Sequence, residues 1–471
     1  MTRAYPLALI TLATLLFVGC GSDKPAPGPN PTDNSTAHCG PNSRPETGMQ
    51  GRVSQEDHDN GLAREGFTCN TELVGSYTVP NAIGSVGGFK VERYIDNAGR
   101  ECAYYDSTLL FPTSVLDMNV GINVLDMSDP EHPMLANRLI TPAMLSPHES
   151  MVVSQQAGIL AAVMGNVLFY PGLVDVYDLS EDCRNPVLRA SAPVGRLGHE
   201  SGISPDGKTF FTSSPASPTL TAIDLSNPEF PTALWYGNYR SHGLSISADG
   251  NRAYVTGDGD NGLLILDISE IQARQANPEV REVASLSWEN QSVPQNAIPF
   301  TRDGKPYVLE IDEFSTSEAG KSSALTSHGA FVGAGRIIDI SNESEPNVIS
   351  ELRLAVHNPE NRDAIANDPG ANNIAGGYAG HYCDLPTRVN PDIVACSMIL
   401  SGLRIFDIRD PHKPREVAYF NAPVTDRPLD VQAPSSNMAM SKPAFAPERK
   451  EIWYTDGYSG FYVVRVTNGA W

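Results

Sequence analysis

HESGISPDGKTFFTSSPASPTLTAIDLSNP, residues 199–228, reads as a histidine, a short alternating strand, a Pro-Asp-Gly turn, a second strand, a loop, and an apolar run closing on Asp-Leu-Ser-Asn-Pro. SHGLSISADGNRAYVTGDGDNGLLILDIS, residues 241–269, repeats that order. A unit of this length is one small sheet that cannot bury its own faces, so neighbours must stack on it. The apolar run recurs as GINVLDMSDP (121–130), GLVDVYDLS (172–180), TLTAIDLSNP (219–228), GLLILDIS (262–269), GRIIDIS (335–341), GLRIFDIRDP (402–411) and GFYVVRV (460–466). Each copy is aliphatic, β-branched and of strand length. After most copies comes a proline and one more strand, as in PTALWYG and PREVAYF. Before most come two strands joined by turns such as SPDG, SADG and TRDG.

Four antiparallel strands per unit, repeated seven times, predict an all-β chain folded as a seven-bladed β-propeller. A β-sandwich would leave so regular a repeat unexplained. The last unit lacks a strand after residues 460–466, and ELVGSYTVP (72–80) is a spare strand near the start. Pairing residues 72–80 with 460–466 would close the ring and hide an edge that would otherwise stay open. The expected organisation is a signal peptide (1–19), a lipid-anchored tether (20–36), an N-terminal arm (37–71) and the propeller (72–471). In the arm, EDHDNG (56–61) alternates acids with a histidine but lacks the spacing of a calcium loop, so it reads as a solvated segment.

The chain carries 33 Lys+Arg against 55 Asp+Glu, a net charge of -22. Nucleic acid is excluded as a partner, because phosphate binding needs a basic surface. The opening MTRAYPLALITLATLLFVGC has an apolar run over residues 7–18, short for a spanning helix and suited to a secretory signal. Gly19 before Cys20 resembles a bacterial lipobox, although Phe17 stands where leucine is usual. That resemblance implies cleavage before Cys20, lipidation of its sulfur and, with no Asp after Cys20, the outer membrane of the cell envelope. The membrane would then be touched only through the anchor, with an envelope protein or a small ligand as partner. GSDKPAPGPNPTDNST, after Cys20, has almost nothing to bury and reads as a tether.

Six further cysteines in an exported chain suggest three disulfides. CDLPTRVNPDIVAC reads as a hairpin turning at Val389-Asn390, which sets Cys383 opposite Cys396. Cys39 with Cys69 would pin the arm, leaving Cys102 with Cys183; no spacing selects these two pairs.

LLILD, RIIDI, LRIFD and TAIDL resemble the LVIVD repeat, over roughly residues 72–466. The resemblance implies a bacterial surface or exported propeller, often a lipoprotein, in a family mostly without an assigned activity. It marks the fold and not the function.

Three insertions break the rhythm, at residues 312–335, 355–380 and 421–441. In a propeller, loops after second and fourth strands share one face, so all three fall together. Long loops carry recognition more often than stability. The same face receives a recurrent histidine at the mouth of the first strand: His148, His199, His242 and His381, with Asn296 and Ser441 in its place in blades five and seven. Glu149 and Glu200 follow two of them. His328, His357, Asp258, Asp260, Asp312, Glu313 and Asp456 are expected on loops of that face.

Two functions follow. One is a binding or scaffold module acting through the loop-bearing face. The other is a metal-dependent enzyme in which the four histidines hold Zn or Cu and Glu149 or Glu200 acts as general base. The second is similar in architecture to the selenium-binding and methanethiol oxidase propellers. Histidines repeated at one blade position can equally bond neighbouring strands. Asp126, Asp178, Asp224, Asp267, Asp339 and Asp407 end third strands before Ser- or Pro-containing turns, where a carboxylate accepts backbone N–H groups.

Overall fold

The computed structural model describes residues 36–107, 119–165, 172–257, 261–316, 331–371, 377–426 and 435–471. Cys20 with its flanking signal and tether, Asp258, Asp260 and His328 lie outside them. Seven antiparallel sheets form the ring. The first holds Val91–Ile95, Glu101–Asp106, Ile122–Asp126 and Met134–Leu139 from centre to rim. The next four repeat this order; their third strands are Val174–Asp178, Leu220–Asp224, Leu263–Asp267 and Gly335–Asp339.

The third strands explain the repeat. Ile122–Asp126, Val174–Asp178, Leu220–Asp224 and Leu263–Asp267 are buried at every residue except the closing aspartate. Each is covered on both faces by adjacent blades, so its sequence is continuously apolar rather than alternating. Fourth strands form the rim, and Val187–Ala192 and Met134–Leu139 are correspondingly exposed or half-buried at every residue but Leu139. In all seven blades the pairing of third with fourth strand slips by one residue. Such bulges increase the local twist.

The closing aspartates are structural, as expected. Asp126, Asp178, Asp224, Asp267 and Asp339 each accept from the amide two residues on, that of Ser128, Ser180, Ser226, Ser269 and Ser341, at 2.7–3.0 Å. Asp407 does the same with Arg409.

Closure occurs where the sequence places it, with a shorter strand. Thr71–Tyr77, not residues 72–80, pairs with Gly460–Val466, from Thr71↔Val466 to Tyr77↔Phe461. Pro80 has no N–H to continue the ladder. Arg465 stands where other blades carry aspartate. It lies directly across from Glu72 and from Glu451, and binds them at 2.8 and 3.0 Å. An ion pair across three strands thus stands where the other blades carry an aspartate that caps its own turn.

The arm is more ordered than a solvated segment. Phe67–Cys69 adds a fifth strand to the rim of blade six, paired with Arg415–Asn421. EDHDNG forms most of a short helix, Gln55–Asp59, and the turn that ends it. Asp57 accepts from the Ser54 amide and Ser54 Oγ accepts from the Asp57 amide, a capping box that Ser-Gln-Glu-Asp spells out in sequence. The three disulfides are Cys39–Cys69, Cys102–Cys183 and Cys383–Cys396. Cys383 lies directly opposite Cys396 in the hairpin.

Cys102–Cys183 ties blade one to blade two across 81 residues of chain. Replacing both cysteines by alanine should leave the ring folded and lower its unfolding free energy by about 2–4 kcal/mol in urea titrations. An unchanged midpoint would show that the ring holds these blades without the bond.

Candidate functional site

The inner strands bring their preceding residues to one axis. His148, His199, His242 and His381 come from blades two, three, four and six. The rings of His148 and His199 lie 4.4 Å apart, as do those of His199 and His242. His148 sits at φ 53°, a conformation unusual for a non-glycine residue and one that sites tolerate when surrounding structure enforces it. Glu149 and Glu313 complete the cluster. Glu149 Oε2 is 2.8 Å from His199 Nδ1, and Glu149 Oε1 is 3.5 Å from His381 Nε2. Glu313 offers Oε1 to His242 Nε2 and Oε2 to His381 Nε2, both at 3.0 Å.

Neighbouring groups fix these ligand atoms. His242 Nδ1 meets the Pro294 carbonyl at 3.0 Å, and His381 Nδ1 meets that of Met440. Each therefore turns Nε2 to the carboxylates, the arrangement that holds metal-binding histidines. His381 Nε2 is buried and has no aligned hydrogen-bond partner, although Glu313 lies beside it. Glu149 Oε2 accepts from Tyr382 Oη at 2.7 Å and from Gln295 Nε2. His199 Nδ1 lies near both Glu149 and the Glu200 amide, 3.0 Å away. Nδ1 thus accepts from the Glu200 amide while Glu149 Oε2 lies beside it.

Electrostatics divide the imidazoles. Burial and the neighbouring His199 push His148 down to about 3. His199 is lowered by burial against the pull of Glu149. For His242 burial works downward but Glu313 outweighs it and raises the ring to about 9. His381 is raised in the same way. Burial opposes ionisation of Glu149 and Glu313, yet the imidazoles hold both carboxyls below their usual range.

Phe89, Phe314, Val332, Ala379, Tyr382, Ile399, Met438, Met440 and Tyr458 pack as an apolar cluster around His381. Segments flanking the three insertions supply most of it, so the expected loop face and the histidines coincide. Below the cluster, a cavity of about 970 Å³ is lined by Lys90, Glu92, Glu200, Leu244, Arg388 and Lys442 among others. Glu200 borders both. Its Oε1 is 3.6 Å from Lys90 Nζ and accepts from Asn296; its Oε2 has no hydrogen-bond partner among the described residues.

Three expected face residues point elsewhere. Asp312 turns into blade five, where Arg336, the Trp288 indole and the Ser292 amide surround it. Asp456 accepts from the amides of Met438, Tyr458 and Ser459, so it shapes a turn. His357 is buried apart from the cluster, with Nδ1 accepting from the Leu354 amide. Conversely, Glu313 proves central. Lys90 and Gln295 escaped notice because blades one and five carry no histidine to align on, and Tyr382 because it follows His381 in blade six with no counterpart in the other units; Gln295 does stand one place before Asn296, already matched to the histidines.

Gly243 is required by close approach: a Cβ there would lie 2.2 Å from Glu200 Oε2 and from the Gln295 carbonyl. Gly243→Ala should cost about 1–3 kcal/mol by overpacking and displace Glu200, read by thermal melts and a crystal structure. A silent substitution would refute that placement. Asp106 accepts from the Phe89 amide at 2.8 Å and so sets the ring that packs on His148. Burial pushes Asp106 up to about 7. Because the folded value lies above the unfolded one, its ionisation costs stability as pH rises from about 4 through 7. Asp106→Asn should therefore gain on the wild type over that window, by an amount on the order of 3 kcal/mol in denaturant titrations. A pH-independent difference would contradict the assignment.

The model of the LVIVD repeat matches residues 242–271 and 330–352. No curated protein sequence matches the chain. Among solved structures, hydrazine synthase of Kuenenia stuttgartiensis is similar over 83% of this chain and 99% of its own, at 14% identity and a TM-score of 0.51. A chain of a mitotic checkpoint complex is 9% identical over 84% of this chain and 95% of its own, with a TM-score of 0.49. At such identities the first likeness concerns fold alone. The chain is a seven-bladed β-propeller carrying LVIVD repeats.

Proposed function

We propose that this propeller is a metal-dependent enzyme whose divalent transition metal, Zn or Cu, sits at the channel mouth. The convergence of four imidazoles and two carboxylates carries the proposal. Strand bonding alone would leave the ring nitrogens facing their own neighbours; here Nε2 of His242 and His381 faces the axis. Imidazole and carboxylate together suit Zn and Cu. When bound, such an ion supplies Lewis acidity and activates water. The chain's own part is orientation and proton transfer. Tyr382 and Gln295 hold Glu149, and the apolar packing of Phe89, Phe314 and Met440 limits water. Glu200, with one uncommitted oxygen, is the group placed to take a proton.

Purified protein supplied with Zn or Cu should retain it stoichiometrically, and a His148→Ala/His199→Ala/His242→Ala variant should not. Ion at 100 times its Kd should stabilise the wild type by about 2.7 kcal/mol and leave the triple variant unmoved. Folded wild type that stays metal-free would remove the proposal.

The binding-module reading is favoured by two small hairpins on the loop-bearing face. Ser315–Thr316 pairs with Phe331–Val332, and Thr425–Asp426 with Ser435–Ser436. Both readings share an exported, lipid-tethered protein, supported by three disulfides, which persist in oxidising compartments. Cys20→Ser should release the protein from membranes in fractionation with its metal content intact; continued membrane association would count against the anchor.

A further inference from the structure

We infer that the histidine centre is built for two metal ions bridged by Glu149. The inference rests on the metal reading above and extends it from one ion to a pair. At this centre, ligand atoms within 4.8 Å of one another fall into two triads, His148–Glu149–His199 and Glu149–Glu313–His381, which share only Glu149. His242 joins the second through Glu313, 3.0 Å from its Nε2. The result is two ligand sets. One offers His148, His199 and a Glu149 oxygen. The other offers His242, His381, Glu313 and the second Glu149 oxygen.

Glu149 is oriented for this role. Oε2 faces His199 and Oε1 faces His381, so each oxygen addresses a different set. Paired-metal sites hold their ions roughly 3.5–4 Å apart, a span that one carboxylate bridges. A single Zn takes about four ligands, so six groups exceed what one ion uses. The second set also turns a buried ring nitrogen to two carboxylates. His381 is fully buried, its Nδ1 is committed to Met440, and its Nε2 points inward without an aligned partner. His381 Nε2 and Glu313 Oε2 lie 3.0 Å apart, close enough to hold one ion together.

The test counts ions. Metal-free wild type is titrated with Zn²⁺ and measured by native mass spectrometry. The expected result is two ions per chain, falling to one in His148→Ala and to one in His242→Ala. His148→Gln and His242→Gln, closer in size, serve where the alanine variants fail to fold. Cu²⁺-loaded wild type should show spin coupling by EPR, and both single variants should show an isolated ion. One ion in the wild type and none in either variant would mean a single shared site, overturning the pair but keeping the metal reading. No ion in the wild type would overturn both. Two ions in the wild type and in both variants would place them elsewhere and overturn the inference.

Discussion

Everything at the axis depends on closure of the ring. The inner strands converge only if each blade is held between two others, and the last blade lacks a fourth strand of its own. Thr71–Tyr77 supplies it and so joins the last blade to the strand that leads into the first. Arg465 strengthens the joint by pairing with acids on the strands at both sides. Without that seam the channel has no fixed diameter, and side chains contributed by blades two to six have no common point to face.

Given closure, the channel becomes an electrostatic problem. Carboxylates are costly away from water unless paired. Glu149 and Glu313 are paired by imidazoles, Glu200 by Lys90, and Glu92 and Asp384 by Lys442. The acids and bases thus lie in layers down the channel. Only in the uppermost layer are the bases histidines. Lysine offers a carboxylate a charge partner; an imidazole can also exchange its proton for a metal ion. That difference separates the histidine layer from the lysine-paired carboxylates, of which Glu200 keeps one oxygen free of hydrogen bonds among the described residues.

The surroundings follow the same division. Segments beside the insertions fold over the histidine layer and present Phe314, Met438 and Met440 to it. The other end of the channel is finished by tight hairpin turns and by aspartates that cap their own backbone. One face is built for repetition and the other for variation.

The repeat, the blade count and the closing partners were legible in the sequence, because a third strand covered on both sides must be apolar throughout. The recurrent histidine was legible for the same reason: position in a repeat fixes position in the ring. Glu313 and Asp312 show where that logic stops. They are neighbours in sequence and both are buried, yet one faces the axis and the other Arg336, since adjacent residues of a strand point to opposite sides. A bulge after Pro294 brings Gln295 to Glu149 in the same unannounced way. The chain alone thus determined which blades exist and which histidines recur. Only the folded ring decided which carboxylates meet them, because that depends on strand facing and register across blades far apart in sequence.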